Sequence, residues 1–365
     1  MLRVLIIGGY GNFGGHVACR LADDDRIALI IAGRNLSKAR AFCESLDSAN
    51  PIEAAAFDMR DGSAAMAKHR PDLVINMVGP YHGQPYDAAR AAIECGSHYC
   101  DIADARDFVT GIVELDDAAK VAEVAVLAGA SSVPTLTAAY LDEALTDMRA
   151  IHRVDYGISA GEQSNFGSGT VAAVLNFVGE RFTILKNGEM VPVRGWSGLH
   201  SKKYPELGRR WFGRGNIVDH ALFADRYPGL RHSTFWAGHG VALMHFGTVI
   251  LGWLRALRLL PRLDQFAPFL AKFSRLFDRL GRGLSGFHMK IEGEAADGSA
   301  TVRQHWIIAR QGHGPYIPCT AVVLIAKMLA EGQSIPSGAR PCLDIISLDQ
   351  YRAGFAGLDI NWIDE

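Results

Sequence analysis

The chain opens with a short apolar run that leads directly into a glycine-rich turn, and this feature constrains the fold most. Residues 3–7 (RVLII) have the β-branched, apolar pattern of a central parallel strand buried on both faces. Gly9, Gly11 and Gly14 follow in the spacing G-x-G-x-x-G, and a helical stretch continues over residues 16–22. A strand, turn and helix in this order are typical of a dinucleotide-binding Rossmann unit, with a purely structural turn as the alternative.

Each glycine of the turn has a separate role in that interpretation. The first allows the tight turn, the second lets the backbone approach a pyrophosphate, and the third lets the helix pack on the strand. The helix N-terminus then presents backbone N–H groups to the phosphates. We therefore predict that the cofactor is bound by Gly9, Gly11, Asn12, Phe13 and Gly14.

A residue shortly after the second predicted strand (residues 27–32) selects the dinucleotide. A chain that uses NAD would place Asp or Glu about 20 residues after the last glycine, to bind the ribose 2′-OH. This chain has Arg34 there, followed by Asn35, and a guanidinium binds a 2′-phosphate through two parallel hydrogen bonds. A solvated loop arginine is the alternative. The missing carboxylate favours NADP, with NADPH preferred over NADH.

The next two predicted strands also end in candidate cofactor contacts. Asp58 follows the third strand and is either an acceptor for the adenine amino group or a helix N-cap. Val78, Gly79 and Pro80 end the fourth strand (residues 72–78), and we expect them near the nicotinamide ribose. The alternation of strands and helices predicts an α/β fold with a Rossmann-type doubly wound parallel sheet.

One stretch of this first part has a recognisable pattern. Residues 74–108 read VINMVGPYHGQPYDAARAAIECGSHYCDIADARDF, and GASSVPTLT (129–137) and GSGT (167–170) follow. The chain resembles the saccharopine dehydrogenase-like (saccharopine reductase-like) oxidoreductases. The resemblance implies an NADP-binding Rossmann domain, a second domain inserted before the C-terminus, and hydride transfer in the cleft between them. Similar members act on imines of amino acids or polyamines, or reduce acyl double bonds in lipid assembly.

Three side chains near the carboxyl edge of the predicted sheet are candidate catalytic residues. Tyr81 follows the fourth strand, and Tyr99 and Asp101 share one face of the fifth because side chains alternate along a strand. Asp101 would be a general acid if burial raises its pKa, or would hold a substrate amine as a carboxylate. The alternative is a cap or a hydrogen-bonding residue that fixes the loop at 79–81.

Four further residues are candidate substrate contacts. Arg106 would bind a substrate carboxylate or pair with a neighbouring aspartate. Ser131 and Ser132 would bond the substrate or the nicotinamide amide, or serve as ordinary turn residues before a proline. Ser168 precedes an apolar helix, where it would help bind an anion or simply cap the helix.

Charge is distributed unevenly along the chain. The 37 Lys and Arg nearly balance the 39 Asp and Glu, giving a net charge of −2 that argues against a nucleic-acid binder. Residues 194–290, however, contain 16 basic and 5 acidic residues. We predict an NADP-binding domain over 1–150, an α+β substrate and dimerisation domain over 151–314, and a C-terminal segment over 315–365 that returns to the first domain.

The basic part includes an apolar helical segment at residues 241–285. Residues 241–260 are long enough for a spanning helix but contain a histidine and two arginines, which are costly in lipid. A basic amphipathic helix is predicted after it, with apolar positions Leu270, Phe273, Phe277, Leu280 and Leu284 and basic positions Lys272, Arg275, Arg279 and Arg282. The segment is a subunit interface or active-site cover, or a surface for anionic lipid or an acyl carrier.

These observations lead to one main functional hypothesis. The chain is predicted to be a cytoplasmic, homodimeric NADP-dependent reductase that transfers hydride to a C=N or C=C bond of a small molecule. The alternatives are an enoyl reductase for a lipid or polyketide acyl substrate, and a non-catalytic NADP sensor or membrane-associated protein. No tyrosine is followed four residues later by lysine, and the six cysteines lack zinc-site spacing. The sequence therefore predicts neither the Tyr-x-x-x-Lys proton relay of short-chain dehydrogenases nor a bound metal ion.

Overall fold

The computed structural model describes residues 1–48, 50–161, 167–274, 281 and 283–365, without the side chains of residues 167 and 168. The chain divides into two compact units. The first unit comprises Met1–Ala139 and Tyr316–Phe355, and the second comprises Tyr140–Pro315 and Ala356–Glu365.

Strands and helices are numbered in chain order. The strands are β1 (Leu2–Ile7), β2 (Ile27–Gly33), β3 (Ile52–Ala56), β4 (Leu73–Asn76), β5 (His98–Asp101), β6 (Ala125–Ala128), β7 (Met148–Ala160), β8 (Arg181–Lys186), β9 (Glu189–Arg194), β10 (His200–Tyr204), β11 (Gly208–Arg214), β12 (His232–His239), β13 (Ser285–Ala295), β14 (Ala300–Ala309), β15 (Gly338–Pro341) and β16 (Ile360–Asp364). The helices are α1 (Asn12–Ala22), α2 (Leu36–Ser45), α3 (Gly62–Ala67), α4 (Asp87–Glu94), α5 (Arg106–Gly111), α6 (Asp116–Val121), α7 (Thr137–Ala144), α8 (Gly167–Phe177), α9 (Asp219–Arg226), α10 (Ala242–Ala256), α11 (Ala267–Ser274), α12 (Tyr316–Ala330) and α13 (Leu348–Gly354). Short helical turns lie at Met59–Asp61, Ile112–Leu115, Ser132–Leu136 and Leu263–Phe266.

The first unit is built on a parallel sheet of seven strands in the order β15-β6-β5-β4-β1-β2-β3. Every residue of β2 and β4 is buried, as continuous apolar runs in a sheet covered on both faces require. The strand order reverses between β1 and β4, which is the position where open α/β sheets bind ligands. This confirms the predicted Rossmann-type doubly wound fold.

The strand register aligns the carboxyl ends that carry the candidate site. Ile7 at the end of β1 pairs with both Ala32 in β2 and Asn76 in β4. Asn76 in turn pairs with Asp101 at the end of β5. The loops that follow β1, β4 and β5 therefore leave the sheet at one edge.

The second unit is built on a mixed sheet in the order β10-β11-β12-β7-β13-β14-β16, with the β8–β9 hairpin beside β12. β7 and β12 are parallel, whereas β13 and β14 form an antiparallel hairpin across Asp297-Gly298. Gly298 has a positive φ of 84°, and Asp297 Oδ1 accepts the Ser299 N–H, so the turn uses both residue types as turn chemistry requires. This mixed sheet confirms the predicted α+β second domain.

The two C-terminal portions belong to different units. α12 packs against α1, and β15 pairs with β6, in the first unit. Residues 356–365, which sequence analysis groups with the segment returning to the first domain, lie in the second unit, where β16 pairs with β14.

The apolar segment forms two separate helices rather than one continuous span. Within the described residues, none of the helices has both the length and the apolar character needed to cross a bilayer. Leu270, Lys272 and Phe273 lie in α11. The other predicted positions of the amphipathic helix, apart from Leu284, lie outside the described residues: Arg275, Phe277, Arg279, Leu280 and Arg282.

Candidate cofactor and active site

The turn after β1 is held by backbone hydrogen bonds to the neighbouring strand. The N–H groups of Gly8 and Gly9 donate to the Ala32 carbonyl oxygen over 2.8 and 3.1 Å. The Gly11 N–H then donates to the Gly8 carbonyl oxygen over 2.8 Å. These bonds fix the chain reversal between β1 and α1.

Gly14 lies where no side chain fits. A Cβ atom at this position would be 2.2 Å from the Gly8 carbonyl oxygen and 2.9 Å from the Gly9 Cα. At Gly11, a Cβ would be 3.0 Å from the same carbonyl oxygen. The first turn of α1 therefore packs directly on the backbone of the glycine turn, as pyrophosphate-binding turns require.

The start of α1 is suited to a phosphate. Its N-cap is Gly11, no side chain caps the helix, and its first turn contains no acidic residue. Asn12 and Phe13 begin this turn, so the positive end of the helix dipole is not neutralised by a carboxylate. The observed cradle fits the pyrophosphate of a dinucleotide.

The loop after β2 carries an exposed arginine. Arg34 is exposed, and Asn35 caps α2 by accepting the Lys38 N–H over 3.0 Å. The Asn35 N–H donates to the Tyr10 hydroxyl over 3.1 Å, which ties this loop to the glycine turn. The first turn of α2 also lacks acidic residues. The loop therefore presents positive charge, as a 2′-phosphate requires.

Asp58 forms the helix cap that was one of its two predicted roles. Its Oδ1 accepts the N–H of Arg60 over 3.1 Å, and its own N–H donates to Asp61 Oδ2 over 2.7 Å. The Arg60 guanidinium bonds both carboxylate oxygens and, together with the charge of Arg34, keeps the pKa of Asp58 well below its usual value. The adenine contact remains a prediction.

A buried asparagine at the end of β4 shapes the loop of Val78, Gly79 and Pro80. Asn76 Oδ1 accepts the Val78 N–H over 3.1 Å, and Gln84 Nε2 donates to the Val78 carbonyl oxygen over 2.9 Å. Sequence analysis missed both residues. A polar residue closing the otherwise apolar strand LVIN was the signal for Asn76, whereas the contact of Gln84 depends on how the loop turns back.

The two candidate tyrosines support this loop. The Tyr81 hydroxyl donates to the Asn76 carbonyl oxygen over 2.8 Å, and the Tyr99 hydroxyl accepts from Asn76 Nδ2 over 3.3 Å. Burial, reinforced by the charge of Asp101, raises the pKa of each phenol well above its usual value. Because the Tyr81 proton is already bonded to a backbone oxygen, its observed contacts support a positioning role.

Asp101 is fully buried, with 0% of its surface exposed. Its Oδ1 accepts the N–H groups of Gly129 and Ala103 over 2.8 and 2.9 Å, whereas its Oδ2 has no hydrogen-bond partner among the described residues. Burial raises the pKa of Asp101 to about 6, against the lowering effect of these N–H groups and of the Tyr99 hydroxyl. The carboxyl holds the turn after β6, not the loop at 79–81 as the alternative interpretation expected.

The candidate substrate residues differ in their settings. Arg106 begins α5 and is half-buried. Ser131 and Ser132 are buried directly after β6, and the Ser131 carbonyl oxygen accepts the Tyr351 hydroxyl over 3.4 Å. Ser168 lies at the start of α8, and its side chain is outside the described part of the chain. The first three therefore lie in the segments that follow β5 and β6.

The second unit contains a charged cluster that sequence analysis did not identify. Trp236 Nε1 donates to Asp155 Oδ2 over 2.9 Å, and Lys202 Nζ lies 3.8 Å from Asp155 Oδ1. The Tyr204 hydroxyl lies 2.6 Å from His288 Nδ1, and burial lowers the pKa of this histidine to about 4. These contacts attach the β10–β11 hairpin to the sheet. Across the described residues, no group of histidine, cysteine and acidic side chains could hold a metal ion.

Comparisons with known proteins agree with this geometry. Residues 4–148 match the family model of the saccharopine dehydrogenase NADP binding domain. The chain is similar to apo saccharopine dehydrogenase (L-Glu forming) from Saccharomyces cerevisiae, with 13% identity, 100% of each chain covered and a TM-score of 0.67. It is also similar to homospermidine synthase from Legionella pneumophila in complex with NAD, with 10% identity, coverage of 99% and 91%, and a TM-score of 0.57. At these identities the structural matches show the fold. No curated protein sequence matches the chain.

The strand order, the glycine turn and the matched domain together define an NADP-binding oxidoreductase with a Rossmann unit and a mixed-sheet unit. Within that class, residues 4–148 match the saccharopine dehydrogenase NADP-binding domain family. This confirms the resemblance inferred from residues 74–108.

Proposed function

We propose that this protein is an NADPH-dependent reductase that transfers hydride to the C=N bond of a small molecule. The observation that carries the proposal is the nucleotide cradle. It combines an uncapped helix start free of acidic residues with an exposed arginine after β2, in a domain that matches an NADP-binding family. When bound, NADPH supplies the hydride.

The chain's own residues have three tasks in this proposal. Gly11, Asn12 and Phe13 hold the pyrophosphate at the start of α1, and Arg34 holds the 2′-phosphate. The loop from Val78 to Pro80 supports the nicotinamide ribose. Because the hydrogen bonds of Asn76 and Gln84 fix the conformation of this loop, the ribose would bind to a preorganised surface.

Asp101 supports a C=N substrate over a C=C substrate. With a pKa of about 6, its carboxyl is mostly ionised at neutral pH. A buried negative charge stabilises a protonated, cationic imine at the same sheet edge and destabilises the enolate that enoyl reduction would form. Since the carboxyl is fully buried, we propose that Asp101 acts through its charge and does not touch the substrate.

Arg34→Ala is expected to remove the preference for NADPH over NADH. The charge-assisted bonds to a 2′-phosphate contribute about 1.5–3 kcal/mol, so NADPH affinity should fall roughly 10- to 100-fold while NADH affinity changes little. Titration of both cofactors by fluorescence measures this. Arg40→Ala is the matched control, because Arg40 is an exposed arginine within α2. Equal affinity of the wild type for both cofactors would contradict the NADP assignment.

The reaction itself is tested by NADPH oxidation with a panel of imines and enoyl thioesters. We expect turnover with imines, and Asp101→Asn should lower kcat/KM by about tenfold or more and remove the rate change near pH 6, with NADPH affinity unchanged. Asp107→Asn, at an exposed aspartate of α5, is the control for a general loss of charge. Faster reaction of the thioesters would favour the enoyl reductase alternative. Absence of turnover with both classes would favour an NADP sensor.

A further inference from the structure

One face of α10 is apolar and exposed along its whole length. Leu243, Phe246, Ile250, Trp253 and Leu257 recur at intervals of three and four residues, so they form one stripe. Trp253 is 63% exposed and Leu257 is 64% exposed. Side chains of this size and chemistry are normally turned towards the protein core.

Exposed large apolar side chains also follow α10 in the chain, as far as α11. Leu259, Phe266, Phe269 and Phe273 are also exposed, and Phe269 has 67% of its surface accessible. We call these nine side chains the apolar patch: Leu243, Phe246, Ile250, Trp253, Leu257, Leu259, Phe266, Phe269 and Phe273. The other exposed large apolar residues of the described chain, such as Val121 and Val302, are scattered along the sequence. Exposed large apolar side chains concentrated in one part of the chain in this way mark an interaction site.

The opposite face of α10 is firmly attached to the second unit, so the exposure of the patch follows from the fold. His245, Gly252 and Arg255 are buried on that face. The Arg255 guanidinium bonds Glu180 over 2.6 Å and the Leu175 carbonyl oxygen over 3.0 Å. These contacts fix the rotation of α10 about its axis, and that rotation directs the stripe outwards.

The charged residues of the segment that carries the patch are predominantly basic. Arg258, Arg262 and Lys272 are exposed among the apolar side chains. The one acidic residue between positions 242 and 274 is Asp264, and it is paired with Arg262 over 2.8 Å. An apolar face that contains Trp and Phe and is bordered by Arg and Lys is typical of helices that lie in the interface of an anionic membrane.

We propose that the apolar patch docks this protein on the surface of an anionic lipid bilayer. α10 has 15 residues and is about 22 Å long, which is shorter than the roughly 30 Å of the hydrocarbon core. The helix therefore lies in the plane of the interface, with Trp253 and Phe269 inserted and Arg258 and Lys272 at the phosphate groups. A second copy of the chain is the less favourable partner, because a two-fold contact would bring Arg258 and Lys272 of both copies close to each other. This proposal does not depend on the reaction proposed above.

Flotation with lipid vesicles tests the proposal on the full chain. We expect the protein to float with vesicles of phosphatidylcholine and phosphatidylserine at low salt, to float less at high salt, and to stay largely unbound with phosphatidylcholine alone. Brominated lipid should quench the fluorescence of Trp253, and this quenching should be lost in Trp253→Phe. No flotation with anionic vesicles at low salt would overturn the proposal.

Paired variants separate the contributions of apolar contact and charge. Trp253→Ser with Phe269→Ser should weaken vesicle binding by on the order of tenfold or more, since two large side chains no longer leave water. Arg258→Glu with Lys272→Glu should abolish the dependence on phosphatidylserine. Val121→Ser with Val302→Ser, at exposed apolar positions outside the patch, should bind as the wild type does. Light scattering measures the oligomeric state of the same proteins. If the wild type is a dimer that does not bind vesicles, and Trp253→Ser with Phe269→Ser is a monomer, the patch contacts a second copy of the chain and the proposal is wrong.

Discussion

Replacing Gly14 with alanine is expected to abolish NADPH binding and to lower the free energy of unfolding of the first unit by about 3 kcal/mol or more. The added Cβ would lie 2.2 Å from the Gly8 carbonyl oxygen, far inside van der Waals contact. Because the obstructing atoms belong to the backbone of the glycine turn, they cannot rotate away. Either α1 shifts off the turn or the turn opens, and both changes destroy the pyrophosphate cradle.

The neighbouring glycine provides a matched control in the same helix. A Cβ at Gly15 would meet the Phe42 ring at 3.5 Å, which is an ordinary contact, so Gly15→Ala should leave NADPH binding intact. That substitution should even stabilise the helix by up to about 1 kcal/mol, since alanine is the better helix former. NADPH titration and urea unfolding measure both effects. Wild-type affinity in Gly14→Ala would show that the turn does not carry the cofactor.

The distribution of tryptophan allows the two units to be followed separately. All six tryptophans lie in the second unit, so their fluorescence reports on its unfolding, whereas circular dichroism reports on both units. In Gly14→Ala, the circular dichroism transition should move to lower urea, and the tryptophan transition should move less. The difference between the two transitions shows which unit the substitution destabilises.

The parts of the fold that depend on local pattern could be predicted from sequence. β2 is an apolar run whose length and flanking residues determine its type, and its observed bounds, Ile27–Gly33, lie within one residue of the predicted 27–32. β16 could not be assigned, because INWID pairs with β14 only through contacts distant in sequence. The position of the β10–β11 hairpin could not be predicted either, because the partners of its Lys202 and Tyr204 lie on β7 and β13, which are distant in sequence.

The candidate site shows the same division. The glycine turn could be located because each glycine has a steric reason that local spacing reveals. The two roles of Asp58 could not be separated, since a cap and a ligand contact place the same residue at the same strand end. Asn76 and Gln84 were missed because their importance arises from hydrogen bonds that depend on the path of the loop after β4.

Asp101 is expected to make the first unit less stable as the pH rises from about 4 to about 6. Its pKa is about 6 in the folded protein, against an ordinary value of 3.8, because burial penalises the charged form. Between these values the folded state binds more protons than the unfolded state, so the free energy of unfolding falls with increasing pH. The shift corresponds to a loss of about 3 kcal/mol, fully developed above the folded pKa.

The difference between wild type and Asp101→Asn isolates this contribution. Asparagine keeps an oxygen for the N–H groups of Gly129 and Ala103 but does not ionise, so its stability should lack this pH-dependent loss. Burial also raises the pKa of Asp104, but that group is present in both proteins and its effect cancels in the difference. Urea unfolding followed by circular dichroism at several pH values between 4.5 and 7.5, roughly the range set by these pKa values, provides the curve. A wild-type curve parallel to that of Asp101→Asn would show that the carboxyl is not strained by burial. It would also remove the electrostatic argument for a cationic C=N substrate, because that argument requires an ionised carboxylate held in a poorly solvated position.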